Sequence, residues 1–164
     1  MSTSIEMITS KGNMTIELNE EAAPVTAKNF LSYVDKEFFD GLIFHRVIPG
    51  FMVQGGGMDP DMNEKPNDPP IQIESDNGLK NDRGTIAMAR TNDPNSATSQ
   101  FFINLNDNDF LNYANPANPG YAVFGKVTEG IETIDEIAKV KTGRKGMHDD
   151  VPTEPVMIES VRRV

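Results

Sequence analysis

Apolar residues in this chain recur mostly at every second position, in short runs cut off by Gly, Pro, Asn and Asp, and fall at helical spacing in only two places. Every second side chain of an extended strand points to the same face, so this pattern commits most of the chain to half-buried β-strands. Ile5, Met7 and Thr9 alternate, Ser10 to Asn13 supply a turn, and Met14, Ile16 and Leu18 alternate again, which reads as a β-hairpin. Between Leu42 and Met58 the β-branched Ile43, Val47, Ile48 and Val53 lie around Pro49-Gly50 and predict two more strands. Further strands are expected at 85–89, 100–105 and 121–127, with a closing strand at 156–164. The segments 59–70, 91–98 and 106–120 are rich in Asn, Asp and Pro and read as surface loops.

Pro24 opens the first helical stretch, in which Ala27, Phe30, Leu31 and Val34 share one face and which is expected to end between Phe38 and Gly41. A second helix is expected from Ile131 to Val140, burying Ile131, Ile134, Ile137 and Ala138. Strands that do not alternate with helices argue against a parallel sheet. The expectation is a mainly β fold, an antiparallel sheet closed into a barrel with two α-helices capping it. At 164 residues, with no internal repeat and no linker-like stretch, residues 1–164 are expected to form one domain.

Composition narrows the chemistry. With no cysteine the chain has no disulfide, thiol nucleophile or thiolate metal site. The net charge is -10 and the 15 Lys and Arg residues are scattered, whereas phosphate backbones are bound by clustered positive charge, so nucleic acid is not expected as a partner. The first residues show no basic start followed by an apolar run, and no window of 18 residues is apolar throughout, so no membrane association and a cytoplasmic location are expected. A monomer is the default expectation.

Several short motifs fail on inspection. Asp59, Asp61 and Asn63 open like a calcium loop, but Glu64 stands where that loop has Gly and Pro70 where it has Glu. Gly55-Gly56-Gly57 lacks the Lys-Ser/Thr of a phosphate-binding loop and reads as a strand end or bulge where side chains would be in the way. His45 and His148 are far apart in sequence and belong to no zinc-binding unit, so neither a metal nor another cofactor is expected. Ser99 is not in a nucleophile elbow, and Asp149-Asp150 reads as a solvated loop pair. The segment Phe44 to Gly56, FHRVIPGFMVQGG, remains: it sets Arg46 and Gln54 among large apolar residues of core-like strands. Arg46 either pairs with a carboxylate at a barrel rim or serves an apolar cleft with a few convergent polar groups, as in a ligand site.

FHRVIPGFMVQGG resembles the signature of the cyclophilins. It is followed in that family's order by NGLKNDRGTIAMART (77–91), SQFFINL (99–105), Phe110-Leu111 and YAVFGKV (121–127), so the resemblance spans essentially the whole chain. AMART and GMHDDVP (146–152) are similar to the small bacterial cytoplasmic members. The resemblance implies an eight-stranded antiparallel barrel with two helices and peptidyl-prolyl cis-trans isomerase activity. It also implies partners that are proline-containing peptides and unfolded or partly folded proteins. Carried over by position, it implies catalytic roles for Arg46 and Gln54, and substrate binding by Phe51, Met52, Ala89, Arg90, Gln100, Phe102, Phe110, Leu111 and Tyr121. Phe51, Met52, Phe102 and Leu111 would line the pocket for the proline ring. Phe110 stands where many eukaryotic members have Trp, which implies at most weak cyclosporin binding, and Tyr121 where they have His, which changes the pocket wall without touching Arg46.

Overall fold

A computed structural model describes residues 2–164. The first hairpin forms as its alternation predicts: β1 (Thr3–Thr9) and β2 (Gly12–Leu18) pair antiparallel with Thr9 opposite Gly12. Ile5, Met7, Met14, Ile16 and Leu18 are all buried on one face. Helix α1 (Pro24–Asp35) follows, with Pro in its first turn. Its N-terminus has no side-chain cap of its own. Instead the carboxylate of Glu74 accepts from the backbone N–H groups of Val25 and Thr26 at 3.2 and 2.6 Å, satisfying two donors that a helix start leaves free and placing negative charge at the positive end of the dipole.

α1 ends a few residues earlier than expected. Glu37 takes a left-handed conformation (φ 58°), and the chain turns so that Phe38 and Phe39 enter the core from outside the helix. The burial of Phe38 and Phe39 overrides continuation of the helical pattern.

Six more strands complete the main sheet: β3 (Arg46–Ile48), β4 (Met52–Gly55), β5 (Thr85–Met88), β6 (Phe101–Asn104), β7 (Val123–Glu129) and β10 (Ile158–Arg163). All pairings are antiparallel, in the order β10-β1-β2-β7-β5-β6-β4-β3. Helix α2 (Glu132–Ala138) buries Ile134 and Ile137 as expected. Ile131 departs from its expected burial and stays 38 % exposed, because the helix begins one residue later and Ile131 sits on its outer shoulder.

The main core lies on the concave face of the curled sheet, where Phe30 of α1 meets Phe39, Phe101 and Phe124 with ring centroids 5.0 to 5.6 Å apart. Edge-to-face and tilted contacts at this separation suit the aromatic quadrupole.

The expected closed barrel is corrected to a strongly curled, open half-barrel, because the edge strands β3 and β10 form no ladder with each other. Only Ile43 and Met157 form an isolated bridge, beside hydrogen bonds from Phe44 N–H to the Val156 carbonyl (3.0 Å) and from Ile158 N–H to the Leu42 carbonyl (2.7 Å). Beside β3 lies not β10 but a further strand, β9 (His148–Pro152).

That neighbour belongs to an unanticipated second sheet, a hairpin of β8 (Thr142–Lys145) and β9 (His148–Pro152). Asp149 and Asp150 therefore sit on a strand rather than in a loop. Their runs of Lys, Arg, Asp and Gly lack an apolar alternation, so nothing in them signals extended structure. The sequence signal for β9 is confined to Val151, whose side chain is buried.

Candidate active site

The site is assembled by strand register. Arg46 on β3 lies opposite Gln54 on β4, and Gln54 lies opposite Phe102 on β6, which in turn lies opposite Ala87 on β5. Residues directly opposite in an antiparallel sheet project to the same face, so this single row turns four separate stretches of sequence into one surface. Phe101 and Phe102 divide the two faces of β6: Phe101 points into the main core, and Phe102 joins a second apolar cluster with Met52, Ala87, Leu111 and Val123.

This second cluster floors a cleft of about 130 Å³ lined by Arg46, Phe51, Met52, Gln54, Ala89, Arg90, Phe102, Leu111 and Tyr121. Nine of the eleven residues singled out from the sequence thus converge, on the convex side of the sheet. Gln100 borders an adjoining pocket shared with Gln54, Ala89 and Arg90, where Glu64, Asn67, Thr91, Ser96 and Thr98 complete the wall. Phe110 stands at the rim, 71 % exposed, with its ring stacked on Phe51 at 5.6 Å.

Polar groups in the cleft are held in a chain. Arg46 is exposed and forms no salt bridge with a carboxylate of the described residues; its Nη1 lies 3.4 Å from Gln54 Oε1. The alternative in which Arg46 pairs with a rim carboxylate therefore fails. β3 is an edge strand, so the guanidinium reaches solvent at the cleft mouth without the penalty that burial in a central strand would carry. Gln54 in turn donates from Nε2 to Gln100 Oε1 at 3.0 Å. On the other side, Arg90 donates from Nε and Nη2 to the Gly120 carbonyl (3.1 and 2.7 Å) and packs 4.6 Å from the Tyr121 ring centroid. This cation–π contact and the two hydrogen bonds hold the wall formed by Tyr121.

The triple glycine after Gln54 behaves as the sequence suggests. A Cβ on Gly55 would come within 2.6 Å of the Ile43 carbonyl oxygen, and one on Gly57 would collide with the Gln100 side chain. Close approach of backbone to these neighbours is what lets Gln100 lie against Gln54.

His45, next to Arg46, is buried and its Nδ1 has no hydrogen-bond partner among the described residues. Burial, reinforced by the positive charges of His148 and Arg46, lowers its pKa to about 4. An unfolded imidazole accepts a proton near 6.5, whereas the folded one resists until about 4. The stability associated with neutral His45 is therefore complete above pH 6.5 and is lost as pH falls toward 4. Across that window the loss amounts to about 3 kcal/mol. Urea unfolding midpoints measured from pH 7.5 to 4.5 are expected to fall more steeply for the wild type than for His45→Leu; parallel profiles would refute this.

Sequence reasoning missed Asn81, Asn104 and Asn108, whose side chains are buried beneath the cleft. Asn81 and Asn108 stand in stretches whose Asn and Asp content reads as loop, and a single sequence carries no mark separating a buried Asn from a solvated one.

The family can now be tested by comparison. The family model described as cyclophilin type peptidyl-prolyl cis-trans isomerase matches residues 4–163. The chain belongs to the cyclophilins. A peptidyl-prolyl cis-trans isomerase, cyp18, from Streptomyces antibioticus is 57 % identical over 160 residues, covering 96 % of each chain. Peptidyl-prolyl cis-trans isomerase B of Escherichia coli is 54 % identical over 155 residues, covering 93 % of this cyclophilin and 94 % of that one. Among solved structures, a cyclophilin-type isomerase of Cryptosporidium parvum, determined in the presence of the dipeptide Ala-Pro, superimposes with a TM-score of 0.82 at 28 % identity over 98 % of both chains. The half-barrel with two helices is thus the fold of this family, and no helix among the described residues of this cyclophilin is long and apolar enough to cross a membrane.

Proposed function

We propose that this chain accelerates rotation about X-Pro peptide bonds in proline-containing peptides and in unfolded or partly folded proteins, and that the cleft beside Arg46 is where it does so. The observation that carries the reading is the row Arg46–Gln54–Phe102, which sets a cation and a carboxamide beside an apolar floor on one face of the sheet. The cleft volume of about 130 Å³ is small beside the roughly 300–1,000 Å³ of sites for drug-sized ligands, which favours one compact ring over a carried hydrophobic molecule.

The chemistry follows from the peptide bond. Rotation meets a barrier of about 18–20 kcal/mol because the C–N bond has double-bond character, and at the twisted geometry that conjugation is lost and the prolyl nitrogen regains a lone pair. A donor beside that nitrogen stabilises the twisted amide more than either planar form, which is the requirement for catalysis. Arg46 supplies such a donor and keeps its charge throughout. Phe51, Met52, Phe102 and Leu111 grip the proline ring while the acyl side turns. Gln54, hydrogen-bonded to Gln100 and facing Arg46, orients the guanidinium or the substrate carbonyl. Among the described residues the main-chain N–H and C=O of Arg90 have no backbone hydrogen-bond partner, and they lie at the cleft, available for strand-like pairing with the residue before proline. The reaction makes and breaks no covalent bond and moves no proton, so it has no use for a thiol nucleophile or a His-centred triad.

Exchange NMR on a short Ala-Pro peptide tests the reading. Micromolar protein is expected to broaden or cross-link the cis and trans resonances, and the peptide is expected to shift the amides of Phe102, Ala89 and Arg90. Binding without exchange would instead identify a module that only recognises proline.

A further inference from the structure

Beneath the cleft, three carboxamides form a continuous chain between two of its walls. Asn108 Nδ2 donates both to the Phe51 carbonyl (2.8 Å) and to Asn104 Oδ1 (2.9 Å). Asn104 Nδ2 donates to Asn81 Oδ1 (3.1 Å) and to Thr85 Oγ1 (3.0 Å). Asn81 Nδ2 then donates to the Leu111 carbonyl (3.1 Å), with longer contacts to Asn112 Oδ1 (3.2 Å) and the Tyr121 carbonyl (3.4 Å). The path starts at Phe51, on the turn between β3 and β4, and ends at Leu111 and Tyr121. Those three residues line the cleft.

Among the described residues no backbone hydrogen bond runs directly from Phe51 to the segment 109–121: the Phe51 carbonyl accepts from the Leu105 N–H (2.9 Å) and the Asn108 carbonyl from the Leu111 N–H (2.9 Å), and the Asn108 side chain, with the amide chain behind it, joins the two. Asn81 and Asn104 are fully buried and Asn108 is nearly so. A buried amide that loses a partner has no water to replace it, so each member holds the next in one orientation. Asn104 stands on β6 and is opposite Met52 of the cleft floor, which ties the chain to the sheet itself.

We infer that Asn81, Asn104 and Asn108 are positioning residues that set the separation of Phe51 from Leu111 and Tyr121, and thereby the fit of the cleft to the proline ring. They touch no substrate. The inference rests on the cleft being the isomerase site. A displacement of one wall relative to the other costs binding of the ring directly, while Arg46, held on β3, is untouched.

The test compares wild type, Arg46→Ala, Asn108→Ala and Asn108→Asp on an Ala-Pro peptide, each at a temperature where circular dichroism shows it fully folded. Asn108→Ala is expected to raise KM about tenfold with kcat changed by less than about twofold. A merely structural asparagine would lower the melting temperature and leave the KM of the folded protein at the wild-type value. Asn108→Asp keeps the volume but loses both donors while ionised; protonation returns one, so its KM is expected to fall as pH is lowered from about 8 to about 6. In the wild type, saturating peptide is expected to shift the side-chain NH2 resonances of all three asparagines, a readout that needs no variant. Unshifted resonances, or wild-type KM in both Asn108 variants with Arg46→Ala inactive, would overturn the relay alone. Full activity in Arg46→Ala would overturn the cleft as the site, and the relay with it.

Discussion

Arg46→Ala is expected to lower kcat/KM for an Ala-Pro peptide by about a hundredfold or more, the scale on which removal of one preorganised donor slows other enzymes, with an unchanged circular dichroism spectrum. The argument is one of position. Arg46 is exposed, on the edge strand β3, and free of any salt bridge to the described residues, so little of the fold depends on its side chain. Its one nearby hydrogen-bond partner, Gln54, is itself fixed by Gln100. A group so placed contributes little to stability, and the role proposed for it puts its effect in the twisted state, where the prolyl nitrogen gains the lone pair that a donor can meet. Arg46→Lys keeps the charge but not the planar fork, so it is expected to recover only a small part of the activity. Turnover within about threefold of wild type in either variant, at native stability, would remove Arg46 from the mechanism.

The second large effect is on stability. Phe101→Ala is expected to destabilise the protein by about 3–5 kcal/mol, a large share of the 5–15 kcal/mol typical of a folded domain. The Phe101 ring is fully buried and meets Phe30, Phe39 and Phe44 edge-on, with centroids 5.6 to 5.9 Å apart, so its removal leaves a cavity between α1, the turn that follows it and the sheet. The next residue makes the contrast. Phe102 faces the cleft and packs edge-on against Tyr121 at 5.6 Å. Phe102→Ala is expected to raise KM severely, because the floor beneath the proline ring is lost, and the two-residue comparison separates core from site on a single strand. Guanidinium unfolding of both variants, alongside their kinetics, checks it. A loss below about 1 kcal/mol for Phe101→Ala would mean that the core collapses to fill the space.

These expectations also show how the site's parts differ in what they depend on. The apolar floor and the guanidinium are carried by the ladder of β3, β4 and β6, whereas Leu111 and Tyr121 come from the turn-rich stretch 105–121, where their carbonyls accept from buried Asn81. Gln100 and Phe110 sit one step outside the cleft, at the adjoining pocket and stacked on Phe51 respectively. The adjoining pocket that Gln100 shares with Glu64 and Asn67 belongs to the loop 59–70, in which Asp59 Oδ1 accepts from the backbone of Asp61 and Asn63. The acidic residue that opens like a calcium ligand thus folds its own loop.

Local sequence was sufficient where a side chain's role depends on its near neighbours. Alternation set the faces of β1 and β2, the spacing of Ala27, Phe30, Leu31 and Val34 set the buried side of α1, and the string of motifs from Phe44 to Val127 marked the family and the residues that line the cleft. Three things waited for the tertiary structure, each because it depends on atoms distant in the chain. Whether the sheet closes is decided where segment 41–44 meets 155–158, and there a single bridge with its flanking hydrogen bonds does not extend into a ladder. The hairpin β8–β9 draws its structure from lying beside β3, not from any apolar alternation of its own. The asparagines beneath the cleft are recognisable only once burial and partners are known, since the same residue type in water makes a turn and in the interior makes a brace.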